Sequence, residues 1–240
     1  GQTYKDADLV IVNTCGFVNE AIEESIEAIT EALKENGRVI VCGCLGGRVE
    51  ADGSNYIAKR LPKVLGVTGP DSVDQVMAMV EAHLPRPHDP WDDLVPAAGC
   101  RLTPKHYAYL KISEGCNHHC TFCIIPKLRG PYRSVPMEEL IAEAKTMAEQ
   151  GVKELVLVAQ ETTIYGIDLY GKPSLHLLLK ELCKIQELYW IRILYCYPED
   201  IYPELVQTMK EEPKVCHYLD IPIQHASDAV LKRMGRRTNQ

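Results

Sequence analysis

No long apolar run and no signal-peptide pattern occurs in the 240-residue sequence, which argues against a membrane-spanning or secreted chain and sets a cytoplasmic location as the expectation. Positive charge is also in short supply. With 26 Lys+Arg against 33 Asp+Glu the net charge is −7, so direct nucleic-acid binding through the overall field is not expected, although a local basic patch stays open. The deficit is uneven: residues 1–84 hold 7 Lys+Arg against 13 Asp+Glu, net −6, and residues 85–240 hold 19 against 20, net −1. What remains, 46% hydrophobic and 25% charged residues, is the make-up of a soluble globular protein of one large or two modest domains.

Cysteine, by contrast, is abundant. Ten in a chain without a secretion signal point to metal binding or redox chemistry rather than a disulfide scaffold. Seven of them, Cys15, Cys42, Cys44, Cys100, Cys183, Cys196 and Cys216, are dispersed, and singly each reads as a small buried apolar residue. Cys116, Cys120 and Cys123 are not dispersed.

Hydrophobic periodicity divides the chain. Leu9-Val10-Ile11-Val12 reads as a buried strand, and Val18, Ile22, Ile26, Ile29 and Leu33 recur at helical spacing up to a C-cap at Gly37. A second strand follows at Val39-Ile40-Val41. Strand, helix and strand make a parallel βαβ unit with a right-handed crossover. Val64 to Val67 supplies a further strand, and Asp71 is placed to cap a helix through Val73, Val76, Val80 and Leu84. Residues 1–84 thus form a small N-terminal α/β domain. Five prolines between Pro85 and Pro104, with no apolar periodicity, mark residues 85–106 as a linker.

From residue 107 to 240 the pattern repeats: strand Tyr107 to Ile112, helix Met137 to Glu149, strand Glu154 to Ala159, helix Leu175 to Leu188, strand Trp190 to Tyr195, helix Ile201 to Lys210, strand Tyr218 to Ile221. Repeated βα alternation predicts a parallel sheet of an open or closed β/α barrel. About four units are present, and the polar run Gly235 to Gln240 after another helix suggests a barrel truncated at its C-terminal side. The chain is expected to be incomplete at both ends.

Cys116, Cys120 and Cys123 form a C-x3-C-x2-C run in the loop after the first barrel strand, between Gly115 and Pro126. Structural zinc wants four closed ligands, whereas a four-iron, four-sulfur cluster on three cysteines keeps one iron free. Loops at the C-terminal ends of barrel strands are where such folds place their chemistry. A zinc knuckle completed by His118 or His119 is the competing reading. Both rings fall inside the loop, where closing a tetrahedron would crowd their neighbours, so they read as solvated or cluster-flanking.

The stretch Glu114-Gly115-Cys116-Asn117-His118-His119-Cys120-Thr121-Phe122-Cys123-Ile124-Ile125-Pro126 resembles the signature of radical S-adenosylmethionine enzymes. That resemblance implies a partial radical-SAM β/α barrel whose free iron chelates S-adenosylmethionine, and whose one-electron reduction gives a 5′-deoxyadenosyl radical. By the barrel-top rule, Gln160, Glu161, Tyr195, Gln224 and His225 face the cofactor, with Phe122 beside the last cysteine. Each also reads as a satisfied loop hydrogen-bonder.

In the N-terminal domain, Cys15 follows the first strand in Asn13-Thr14-Cys15-Gly16, and Cys44 follows the second in Cys42-Gly43-Cys44-Leu45-Gly46. Parallel strands end side by side, so both thiols reach one sheet edge beside glycines that admit a bulky ligand; two ordinary buried thiols is the other reading. Similarity to the methylthiotransferase family implies that Cys15 and Cys44 are the second and third ligands of an auxiliary four-iron, four-sulfur cluster. Its first ligand would lie before Gly1. Cys42, within the strand, is expected to be buried and not a ligand.

That family includes enzymes for an adenosine of transfer RNA and a branch acting on an aspartate of a small-subunit ribosomal protein. Residues 158–166, 192–198 and 218–225 resemble the second branch, with Val135 standing where an arginine is expected. The resemblance therefore implies a ribosomal protein as substrate, two four-iron, four-sulfur clusters and S-adenosylmethionine as cofactors, and electron and sulfur donors that the sequence does not identify. A transfer-RNA enzyme and a non-catalytic zinc or iron–sulfur module are the alternatives.

Overall fold

The computed structural model describes residues 3–84 and 104–237; most of the expected linker, Cys100 and the last three residues lie outside that set. Contacts divide the chain into two compact units, one of Gly1–Cys100 with Lys127–Arg129 and one of Arg101–Pro126 with Gly130–Gln240.

The first unit runs β1 (Val10–Thr14), α1 (Asn19–Glu35), β2 (Val39–Gly43), α2 (Tyr56–Arg60), β3 (Gly66–Val67) and α3 (Val73–His83). Its sheet is parallel in the order β1-β2-β3, with Thr14 level with Gly43, so both leading strands end together. Helix α1 lays Ile29 and Ala32 against Val39 and Val41, and burial of each isoleucine or valine among them contributes about 1.5–3 kcal/mol. Gly37, at φ +82°, ends α1 in a left-handed turn whose N–H reaches the Ala32 carbonyl. The N-cap of α3 is Ser72 rather than Asp71. Asp71 instead holds φ +52°, a turn conformation that short polar side chains tolerate and that excludes it from the cap position.

The remaining elements are β4 (Tyr107–Lys111), β5 (Ser113–Glu114), α4 (Ile125–Arg129), β6 (Arg133–Ser134), α5 (Met137–Glu149), β7 (Glu154–Val158), α6 (Ile167–Tyr170), α7 (Leu175–Cys183), β8 (Trp190–Ile193), α8 (Pro203–Glu211), β9 (Val215–Leu219) and α9 (Asp228–Arg233), all of the second unit except Lys127–Arg129 of α4. Strands β4-β7-β8-β9 form one parallel sheet in that order. One face buries Ala108, Leu110, Leu155, Leu157, Ile191 and Ile193 under Leu140, Leu178 and Leu205 of the helices. On alternate positions Tyr109, Trp190 and Tyr218 stay exposed. The architecture is α/β with helices on one face of an open parallel sheet.

Several boundaries differ from expectation, with β4, β7 and β8 ending at Lys111, Val158 and Ile193 rather than Ile112, Ala159 and Tyr195. Helix α7 stops at Cys183 rather than Leu188, and α8 starts at Pro203, behind a single 3-10 turn at Pro198–Asp200, where proline suits the first helical turn. Strand β9 starts at Val215, three residues early, and ends at Leu219 rather than Ile221. A register shift between Ile191 and Ile193 draws its start back, and Pro222, which has no N–H to donate, follows its end.

Candidate functional site

Strands β4, β7 and β8 finish level, and the cysteine loop leaves the sheet just beyond, after the short antiparallel β5–β6 pair. Gly115 opens it at φ +78°, where an added Cβ would overlap the Pro131 carbonyl oxygen, so glycine is required by both conformation and space. Its N–H donates to Gln160 Oε1 at 2.7 Å, tying the loop to the end of β7. Cys116 is buried, and its Sγ accepts from the His118 N–H at 3.5 Å. Cys120 and Cys123 are half-buried, linked by Cys123 N–H to Cys120 O at 3.0 Å.

Burial pushes the Cys116 thiol up to about 11 and the Cys123 thiol up as well. Three cysteine thiols in one loop are a donor set that suits a four-iron, four-sulfur cluster with one iron left without a protein ligand.

His118 is neither solvated nor a tetrahedral fourth ligand. Its side chain is 16% exposed, with Nε2 at 3.4 Å from Glu161 Oε2 and 3.2 Å from Asp200 Oδ2, and its ring stacks on Tyr197 at 3.8 Å between centroids and 11° between planes. Burial pulls the imidazole pKa down, but attraction to Asp200 and Glu161 outweighs it and lifts the ring to about 9. The same contact, through His118, holds Asp200 below the usual carboxylate range. Among the described residues, these three side chains are the one Cys, His, Asp or Glu group with ligand atoms within 4.8 Å; Nε2 lies near both carboxylates as an ion pair without a hydrogen bond of good geometry.

Of the expected strand-end residues, Gln160 and Glu161 are brought against the cysteine loop, Glu161 also accepting from the Thr163 N–H at its buried carboxylate. Tyr195, Gln224, His225 and Phe122 are instead exposed. Two of these carry left-handed backbone, Tyr195 at φ +58° and Gln224 at φ +64°, a strain of about 1–3 kcal/mol each that non-glycine residues keep where structure or function requires it. The exposed His225 ring accepts from the Ser227 N–H at 2.8 Å through Nδ1. Val135 packs against the core and accepts from the Tyr165 hydroxyl through its carbonyl.

In the first unit the Cys44 N–H donates to the Thr14 carbonyl at 3.0 Å, which sets the two post-strand loops side by side. Gly16 approaches so closely that an added Cβ would sit 3.2 Å from the Leu45 backbone, and Gly43 turns at φ +93°. Cys15 is exposed and Cys44 half-buried. Cys42 lies in β2 but is half-buried rather than buried, because it ends near the sheet edge with Sγ 3.8 Å from Asn13 Oδ1.

Three contributors escaped the sequence: Asp200, Tyr197 as a stacking partner, and Arg236, whose Nη1 lies 3.9 Å from Cys120 Sγ. The one local signal was Gly235-Arg236 behind a helix end, read as a polar tail.

Residues 110–240 match the Radical SAM superfamily and residues 1–69 match Uncharacterized protein family UPF0004. The chain belongs to the radical SAM superfamily, which implies S-adenosylmethionine and a 4Fe-4S cluster. Its curated relatives include the protein from Burkholderia lata called ribosomal protein uS12 methylthiotransferase RimO, 52% identical over 99% of this chain and 56% of that protein. A protein of the same name from Polynucleobacter asymbioticus is 54% identical over 97% and 55%. The chain thus spans about half the length of these relatives. Among solved structures, the radical S-adenosylmethionine methyltransferase TsrM of Kitasatospora setae, with cobalamin and a 4Fe-4S cluster bound, matches with TM-score 0.64 at 13% identity, over 99% of this chain and 55% of that one. The cobalamin-dependent radical enzyme OxsB matches with TM-score 0.60 at 13% identity, over 97% and 37%. These likenesses concern the fold. Among the described residues no helix is long and apolar enough to cross a membrane.

Proposed function

We propose that this chain is part of a radical S-adenosylmethionine methylthiotransferase that adds a methylthio group to the β-carbon of an aspartate in a small-subunit ribosomal protein. The observation that carries the reading is identity of 52–54%, along nearly the whole chain, to relatives that share that name. Cys116, Cys120 and Cys123 would hold a cluster, which when bound offers an iron without a protein ligand to S-adenosylmethionine and supplies the electron that cleaves it.

The chain's own residues set the stage for that chemistry. Gln160 fixes the loop backbone at Gly115, and Glu161 and Asp200 hold the His118 ring against Tyr197 beside the first cysteine. Tyr195, Gln224, His225 and Phe122, exposed beyond the strand ends, are the residues available to S-adenosylmethionine or substrate. Cys15 and Cys44 would supply two ligands of an auxiliary cluster, the third coming from sequence outside this chain. A negative first unit suits a basic protein substrate better than a polyphosphate, and cytoplasmic location follows from a ribosomal target.

The test is mass spectrometry after reaction of the reconstituted full-length protein. The expected product has one aspartate C–H replaced by C–SCH3, a gain of one methylthio group less one hydrogen on the uS12 protein. Methylthiolated adenosine in transfer RNA as the sole product would overturn the substrate, and a colourless zinc protein would overturn the enzyme.

A further inference from the structure

The end of α9 is bound onto the cysteine loop from 112 or more residues away. Thr121 donates through its N–H to Met234 O at 3.0 Å and through its hydroxyl to Arg233 O at 3.0 Å. Gly235 follows at φ +71°, so close that an added Cβ would stand 2.9 Å from His119 O. This docking delivers Arg236 to Cys120.

The Arg236 side chain is 3% exposed, an expensive place for a cation unless it is well paired. Its Nη2 donates to Pro222 O at 3.0 Å and lies 3.5 Å from Glu199 Oε2; its plane covers the Tyr197 ring at 3.8 Å, on which His118 also stacks. Nη1 meets Cys120 Sγ at 3.9 Å, and Nε is buried with no hydrogen-bond partner. One carboxylate contact and one carbonyl leave much of the guanidinium's donor capacity unmet, whereas a thiolate at Cys120 would give Nη1 an anionic acceptor.

We propose that Arg236 is a positioning residue for the iron–sulfur cluster: by donating to the Cys120 thiolate it makes the cluster easier to reduce and helps hold the loop in its ligating shape. The inference rests on the reading of Cys116, Cys120 and Cys123 as cluster ligands. Each added electron makes a cluster more negative, so a cation hydrogen-bonded to one ligand sulfur favours the reduced state.

The experiment uses the full-length protein with Cys15 and Cys44 replaced by alanine, so that one cluster is measured. Iron and sulfide content and an EPR-monitored dithionite titration are compared for the parent, Arg236→Lys and Arg236→Gln. The parent alone tests the underlying reading: absence of a four-iron cluster there removes that reading and this inference with it. Given a cluster, Arg236→Gln is expected to retain iron but lower the reduced-to-oxidised ratio at fixed potential several-fold, a tenfold change being about 59 mV for one electron. Arg236→Lys should recover most of that loss. A parental midpoint in iron-loaded Arg236→Gln would overturn the proposal. If Arg236→Gln loses iron, retention by Arg236→Lys supports the charge-based role, and equal loss by both overturns it in favour of packing on Tyr197.

Discussion

Cys15 and Cys44 follow parallel strands of the first unit much as Cys116 follows the leading strands of the second, yet their surroundings differ. Around the first pair, side chains hold only the backbone: Ser25 Oγ accepts from the Cys15 N–H at 3.3 Å and Asn55 Nδ2 donates to Gly46 O at 2.7 Å, while glycines stand at 16 and 43 and Cys15 is exposed. The second set is gripped by side chains from elsewhere in its own unit, with Gln160 on the backbone, the carboxylates of Glu161 and Asp200 on His118, and Arg236 on Cys120. In the second set a packed cation reaches a thiol directly, whereas in the first the anchors are on loop backbone and the glycines leave room beside the thiols.

The sharpest break in that comparison comes from the thiols. Cys116→Ala, Cys120→Ala or Cys123→Ala should abolish release of 5′-deoxyadenosine, because two thiolates are too few to retain the cluster. Cys15→Ala or Cys44→Ala should retain that release and lose methylthiolated product. Chromatography of both products checks the pair, and equal damage to cleavage from both sets would end the assignment of separate roles.

A smaller effect is expected from the turns. Gly115→Ala should cost about 1–3 kcal/mol through left-handed strain alone, with more from overlap with Pro131, and it should reduce iron retention. Gly53→Ala, also left-handed at φ +81° but with open space around it, should cost only the strain. Denaturant unfolding of the apoproteins separates the two, and equal losses would show that the crowding at Gly115 is relieved at no cost.

The smallest concerns Asp168, which accepts from the Ser134 N–H at 2.8 Å and hydroxyl at 2.6 Å and so ties α6 to β6. Burial is the largest single influence and raises its pKa, but the Ser134 hydroxyl and N–H and the backbone N–H groups of Asp168 and Leu169 together outweigh it and hold the carboxyl below its ordinary value. A depressed folded-state pKa contributes stability above the unfolded value near 4, which is lost as pH falls through the folded one. Solvent exposure keeps the contribution to about 0.5 kcal/mol. Asp168→Asn should therefore lower apoprotein stability at pH 7, and the gap should close as the parent's carboxyl protonates in acid; a gap that persists once it is protonated would assign the effect to packing.

Local patterns determined much of this protein. The βα alternation follows from apolar runs of strand length separated by helical periodicity, and the C-x3-C-x2-C run is legible because its three cysteines lie within eight consecutive residues. Cys15 and Cys44, 29 positions apart, could be paired because a parallel crossover obliges adjacent strands to end together. Tertiary structure alone decided what surrounds the thiols. His118 read as solvated or cluster-flanking, and only the packed structure set Glu161, Asp200 and Tyr197 around it; Arg236 read as part of a polar run until α9 set it against Cys120. Neither contact leaves a periodic trace, because long-range pairing of single polar side chains depends on where the packed helices and strand ends deliver them.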